Sequence, residues 1–174
     1  MTIVLYFSRA NQNFVHGEIQ TLTKGNTERL AEKISQMIDA PMLEIVPVID
    51  YPYDYHETIK IVEEERNKGI EPEFQPVPID FESVEHIFLG FPNWCGSMPK
   101  IVSHFLKQID LSNKCIYPFC THEGSAFGNS LVELKKICPN SNIQLGLPVR
   151  GSRVERADQA ISNWISQYQS NRRG

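Results

Sequence analysis

The chain has 174 residues, 41% of them hydrophobic and 22% charged, enough to bury the core of one domain and too few to suggest two. Its formal net charge is −4, and its basic residues are scattered apart from the terminal Arg172 and Arg173, so it carries no cationic footprint for nucleic acid. No apolar run approaches the roughly 18 residues needed to span a membrane, and the first strand begins without a basic, cleavable leader, so a soluble, cytoplasmic protein is expected.

In chain order, Thr2 to Ser8 (TIVLYFS) reads as a first strand. Residues 10–23 fit neither a tight turn nor a helix and read as an insertion, within which Gly17 would permit a sharp reversal. Leu30, Ala31, Ile34 and Ile38 then put one apolar stripe on a helix. Met42 to Val46 is a second strand. Residues 47–78, with prolines at both ends, form a second insertion or long crossover, holding one exposed helix in YHETIKIVEEERNKG that ends near Gly69. His86 to Phe91 is the third strand, followed by a clean helical stripe at Ile101, Val102, Phe105, Leu106 and Ile109. Cys115 to Cys120 is the fourth, although Pro118 removes a ladder donor and argues against a long regular strand there. A short pattern at Leu131, Leu134 and Ile137, a weak fifth strand from Ile143 to Val149, and a final helix burying Ala157, Ile161, Ile165 and Tyr168 complete the chain.

Strands apolar on both faces and alternating with helices predict an α/β domain over residues 1–174, a doubly wound five-stranded parallel sheet with helices on both faces. The four cysteines, Cys95, Cys115, Cys120 and Cys138, have no CxxC spacing. They are expected to be reduced thiols, with neither a disulfide framework nor a metal site.

Ligands of open α/β sheets bind beyond the carboxyl ends of the strands. Three loops there carry chemistry. Ser8 follows the first strand, and Gly25, Asn26 and Thr27 open the first helix with free N–H groups that suit a phosphate dianion. The alternative is that Asn26 or Thr27 merely caps that helix. After the third strand comes PNWCGSMP, with Ser97 a candidate N-cap and Pro99 in the first helical turn. Its Trp94 either stacks on a planar ligand or packs on a neighbouring loop. After the fourth comes THEGSAFGN, whose small residues would let backbone approach the same ligand or simply turn into a helix.

These loops, in this order, resemble those of the flavodoxin family: a phosphate loop ending in G-N-T, a third loop P-x-W-x-G and a fourth C-T-x-x-G-S-x-x-G. The resemblance spans nearly the whole chain and implies non-covalent FMN. It carries Ser8, Arg9, Lys24, Gly25, Asn26 and Thr27 onto phosphate-binding positions, with Lys24 standing where the family has a threonine. Pro92, Asn93, Trp94, Cys95 and Gly96 fall on one side of the isoalloxazine, and Thr121, His122, Glu123, Gly124, Ser125 and Gly128 on the other. Trp94 is the candidate stacking residue and Gly96 the candidate backbone group beside flavin N5. Glu123 would disfavour an anionic reduced flavin or is a solvated turn carboxylate; His122 would donate to the ring or titrate at the surface. Cys95 reads as a packing residue more readily than as a redox thiol. The chain departs from the family form by splitting the phosphate loop with residues 10–23, an excursion that either folds over the ligand as a lid or lies on the surface. A doubling of loop length costs only about 0.6 kcal/mol, so the split loop can still close.

The resemblance implies an electron carrier working with a redox partner protein or a small-molecule acceptor, as a monomer or homodimer. The alternative is an NAD(P)H-dependent FMN reductase acting on quinones or similar acceptors. A receiver module fits poorly, because the third strand runs into Gly90, Phe91 and Pro92 with no aspartate. GSAFG is not the G-x-S-x-G of a nucleophile elbow, and neither G-x-G-x-x-G nor a P-loop occurs.

Overall fold

The computed structural model describes residues 1–173. At its centre is a parallel sheet in the order β4-β1-β5-β6-β7, with β8 also paired to β6. Its strands are β1 (Thr2–Tyr6), β4 (Met42–Glu44), β5 (His86–Pro92), β6 (Cys115–His122), β7 (Asn142–Ile143) and β8 (Leu147–Arg150). A separate antiparallel pair, β2 (Asn11–Val15) and β3 (Glu18–Leu22), occupies the first insertion. The helices are α1 (Asn26–Ile38), α2 (Tyr55–Lys68), α3 (Lys100–Lys107), α4 (Ser130–Ile137) and α5 (Asp158–Asn171). This is the doubly wound arrangement expected from the sequence, with the edge strand split in two and a hairpin added.

Alternation along the strands divides the core. Ile3, Leu5 and Phe7 join Ile87, Leu89 and Phe91 against Ile101, Val102, Phe105 and Leu134, from α3 and α4. Val4, Tyr6, Phe88, Tyr117 and Phe119 face the other way, against Leu30 and Ile34 of α1 and Ile161, Ile165 and Tyr168 of α5. Strands buried on both faces explain why the sequence shows continuous apolar runs instead of alternation.

Pro118 does not shorten its strand. Gln144 N–H donates to the Ile116 carbonyl at 2.8 Å, so Ile116 faces the outer neighbour of β6, and by strand alternation so does Pro118. That neighbour is interrupted opposite it: β7 ends at Ile143, paired with Ile116, and β8 starts at Leu147, paired with Phe119. The missing donor therefore falls where there is no ladder to complete. The single fifth strand expected over Ile143 to Val149 is divided for the same reason.

The first insertion is a two-residue hairpin. Val15 pairs with Glu18, and positive φ at both His16 (53°) and Gly17 (86°) is the pattern of a type I′ turn, which matches strand twist. The second insertion contains α2, capped by Asp54, whose carboxylate accepts from Glu57 N–H at 2.9 Å, and ended by Gly69 in the left-handed conformation.

In the middle of the sheet, a Cβ on Gly90 would lie 2.2 Å from the Phe119 ring. Gly90→Ala is therefore expected to destabilise the protein by about 1–3 kcal/mol through overpacking, measured by urea unfolding. The Gly90→Ala/Phe119→Leu double variant should recover part of that loss; strict additivity would show that the ring contact is not the cause.

Candidate functional site

A cavity of about 360 Å³ opens beyond the carboxyl ends of β1, β5 and β6, where the strand order reverses. Its corner at the start of α1 is built from two separated pieces of chain. Gly25 is the N-cap of α1 and supplies no side-chain bond. Ser8 does so from across the loop, its Oγ accepting from Glu28 N–H at 3.1 Å. Neither Asn26 nor Thr27 caps the helix: Asn26 Oδ1 accepts from Arg29 Nη1 at 3.0 Å, and the buried Thr27 hydroxyl lies 2.7 Å from that of Thr121. Among the described residues the backbone N–H groups of Asn26 and Thr27 have no protein acceptor, and they stand at the positive end of the helix dipole.

The third loop is a tight turn. Trp94 and Ser97 exchange backbone hydrogen bonds at 2.9 and 3.2 Å, with positive φ at Cys95 (51°) and Gly96 (83°) between them. This displaces the expected helix start: Ser97 is consumed by the turn and donates its hydroxyl to Glu133 at 2.6 Å, and Pro99 takes the N-cap. Asn93 spans the gap to the fourth loop, donating through Nδ2 to Ser125 Oγ at 3.1 Å and to the Ala126 carbonyl at 2.6 Å. The Trp94 ring meets Phe7 and Tyr51 edge-on, with centroids 5.2 and 4.9 Å away, while Trp94 still lines the cavity. Trp94 therefore packs on neighbouring segments, one of the two expectations, and is also part of the cavity wall.

Every carbonyl of that turn is occupied. Arg66 of α2 donates to those of Trp94 (2.7 Å) and Cys95 (3.0 Å), and Asn129 N–H donates to that of Gly96 at 2.8 Å. Gly128 allows the last contact, since a Cβ there would lie 2.2 Å from the Gly96 oxygen. In the fourth loop, Gly124 N–H donates to His122 Nδ1 at 2.9 Å, so the neutral ring carries its proton on Nε2. Burial, with Arg150 nearby, holds the His122 pKa below its ordinary value, which favours that neutral form. Desolvation pushes the Cys95 thiol up, although Arg66 pulls the other way, so it stays protonated at neutral pH; the residue is exposed at the turn and not packed in a core as expected.

Of the residues marked in the sequence, Ser8, Arg9, Asn26, Thr27, Pro92, Asn93, Trp94, Cys95, Gly96, Thr121, His122, Glu123, Gly124 and Ser125 line the cavity. Three stand outside its lining. Lys24 is exposed and paired with Glu32 along α1. Gly25 and Gly128 act through close backbone approach: a Cβ on Gly25 would lie 2.2 Å from Ser8 Oγ and 2.6 Å from the Arg9 carbonyl oxygen.

Both insertions contribute to the wall. Asn13 and Phe14 of the hairpin line the cavity, as do Tyr55, Thr58, Ile59 and Val62 of α2. The Phe14 and Tyr55 rings stack at 6.1 Å. Arg9 joins the insertions, its guanidinium donating to the carbonyls of Gln12, Pro52 (2.6 Å) and Tyr53 (2.9 Å). The hairpin tip closes on the fourth loop through His16 N–H and Glu123 at 3.0 Å. The α2 residues were missed because the segment is so charged, yet Tyr55, Thr58, Ile59 and Val62 are spaced i, i+3, i+4, i+7, the signature of one buried helix stripe.

The chain belongs to the flavodoxin family: the family model described as flavodoxin matches residues 20–168. The match begins inside β3, after the hairpin turn. Among solved structures, a candidate flavoprotein from Bacteroides eggerthii is 25% identical with a TM-score of 0.76, covering 95% of each chain. Another, from Bacteroides uniformis, is 25% identical with a TM-score of 0.72, covering 92% of this chain and 97% of its own. A flavoprotein from Lactobacillus acidophilus, solved in complex with FMN, shares the fold at 24% identity and a TM-score of 0.65, over 89% of this chain and 96% of its own. No curated protein matches the sequence. No described helix is long and apolar enough to cross a membrane.

The α2 wall is pinned by a bond between the partly buried Tyr51 and the buried Glu65. Tyr51 Oη lies 2.9 and 3.1 Å from the two carboxylate oxygens of Glu65. Burial raises the Glu65 pKa, while the Tyr51 bond and Lys100 pull it back. With its folded pKa raised, Glu65 favours the fold fully below its unfolded pKa of about 4.3, and that contribution is lost as pH rises through the folded pKa. Tyr51→Phe removes a bond to the charged form and raises the folded pKa further. It should therefore cost about 1–3 kcal/mol at pH 7 and distinctly less at pH 4, read by urea unfolding at both. An equal cost at both pH values would exclude a bond made mainly to the charged carboxylate.

Proposed function

We propose that this protein binds FMN non-covalently and passes electrons through it, to or from a redox partner protein or a small-molecule acceptor. The observation that carries the reading is the pair of free N–H groups at the start of α1, beside Ser8, opening into a cavity whose other walls are the Pro92–Gly96 and Thr121–Ser125 loops. The residues fit the group. At about 360 Å³ the cavity lies within the range of small-molecule sites, roughly 300–1,000 Å³. Two of its buried polar atoms, Arg9 Nε and Asn93 Oδ1, have no partner among the described residues, and buried groups of this kind ordinarily find one. The FMN complex of the Lactobacillus acidophilus flavoprotein is consistent with this assignment.

When bound, flavin supplies the ability to accept and return one or two electrons. What the chain supplies is position. Ser8 and the Asn26 and Thr27 N–H groups would hold the phosphate, each hydrogen bond to the charged group contributing about 1.5–3 kcal/mol. The Trp94 turn, locked by Arg66 and Asn129, and the His122–Ser125 loop would hold the ring. The hairpin and α2 exclude water from one side, with the His16–Glu123 bond as the closing contact.

Purified apoprotein titrated with FMN and then desalted should keep a flavin absorption band; a colourless protein would refute the reading. Ser8→Ala should raise the dissociation constant about tenfold or more, and an unchanged constant would remove Ser8 from the phosphate site. Replacing Asn11 to Leu22 by a short Gly-Ser loop should leave the main sheet folded, because the hairpin forms its own sheet, and should speed FMN release in stopped-flow fluorescence. An unaltered release rate would reduce the hairpin to a surface excursion.

A further inference from the structure

A second cleft, of about 620 Å³, lies behind the fourth loop and shares His122 with the first. It is lined by the exposed Arg150, Arg153 and Arg156 and by an apolar floor of the buried Val149 and Ala157 flanked by the exposed Pro148 and Ala160. None of the three arginines forms an ion pair among the described residues, whereas the neighbouring cations do: Arg29 pairs with Glu155 and Lys33 with Asp158. Arg150 makes one bond, donating to the Glu123 carbonyl at 3.2 Å, which fixes it at the junction of the two cavities. In a chain of net charge −4, three guanidinium groups without an ion pair among the described residues thus line one concavity. Guanidinium is the side chain best shaped for bidentate phosphate recognition, and the apolar floor suits a flat base. Concavity over an apolar floor favours a small ligand over a protein surface.

We propose that this cleft binds a phosphorylated small molecule of the nucleotide class, its phosphates on Arg150, Arg153 and Arg156 and its base against Pro148, Val149 and Ala160. The site stands on its own geometry and does not depend on what fills the first cavity. His122, neutral and bonded through Nδ1 to Gly124, is the shared wall, so a ligand in this cleft lies directly beside the first.

The test is binding of ADP, NADPH and inorganic pyrophosphate by calorimetry at low salt, with and without saturating FMN, to wild type and to the Arg153→Gln/Arg156→Gln variant. Both positions are exposed and their side chains form no ion pair or hydrogen bond among the described residues, so the variant should keep the wild-type thermal melt. The expected result is binding of the nucleotides that survives FMN and weakens about tenfold or more in the variant. Pyrophosphate binding more weakly than ADP would support the role of the apolar floor. No nucleotide binding, binding equal in wild type and variant, or binding abolished by FMN would each overturn the proposal. A polyglutamate peptide that binds with the same arginine dependence while nucleotides do not would also overturn it, assigning the patch to an acidic protein.

Discussion

The site depends on a close approach between residues far apart in sequence: Gly25 lies so near Ser8 and the Arg9 carbonyl that no side chain fits between them. That contact closes a loop interrupted by a whole hairpin, and it delivers the start of α1 to the end of β1. Ser8 can then stand in for the missing cap side chain. A side chain at the cap would satisfy an N–H from within the helix; bringing the oxygen from the other half of the loop couples helix start and strand end into one rigid corner. The closure entropy of the longer loop is modest, and the hairpin's own ladder removes much of the freedom that an unstructured excursion would have kept.

The two insertions work as one element. Arg9 sits at the root of the hairpin and donates to carbonyls of both, so the hairpin's position fixes the entry of α2. The far end of α2 returns to the site through Arg66, which holds the Trp94 turn. Strain in that turn, with Cys95 at positive φ, costs of order 1–3 kcal/mol and is sustained by carbonyl bonds on every residue. A guanidinium suits such tasks because its fork reaches several acceptors at once.

Much of this was legible in the chain. The apolar runs located every central strand, because burial on both faces leaves no alternative composition, and the three loops were found because their glycines and small polar residues are demanded by backbone approach. Individual roles were less legible. Gly25 and Gly128 look like ligand-binding glycines, and only the fold reveals that each makes room for another backbone. Lys24 occupies a family position yet faces Glu32, because the helix it precedes offers an acid on the same side. The reversal at Gly17 was legible, but the pairing of its two arms was not, since NQNFVHGEIQTL has little apolar alternation: the pair is a partly solvated flap, and only Val15 of it is buried. Its turn signal, His16-Gly17, is weaker than Asn-Gly although it serves the same geometry.

Pro118 links the sheet to the second cleft. A proline in a central strand is tolerated when its missing donor meets no acceptor, and here the outer neighbour is broken opposite it. Gly146 lies in the break and packs against Phe127, where a Cβ would come 2.6 Å from the ring. Freed from continuous pairing, the chain rejoins the sheet at Leu147 and runs in register to the end of β6, so that Arg150 pairs with His122. An edge strand that stopped at Ile143 would leave Arg150 unanchored at the sheet's rim. The divided strand instead carries it to the level of the fourth loop, where its side chain reaches the Glu123 carbonyl, and the turn that follows sets Arg153 and Arg156 around the same concavity.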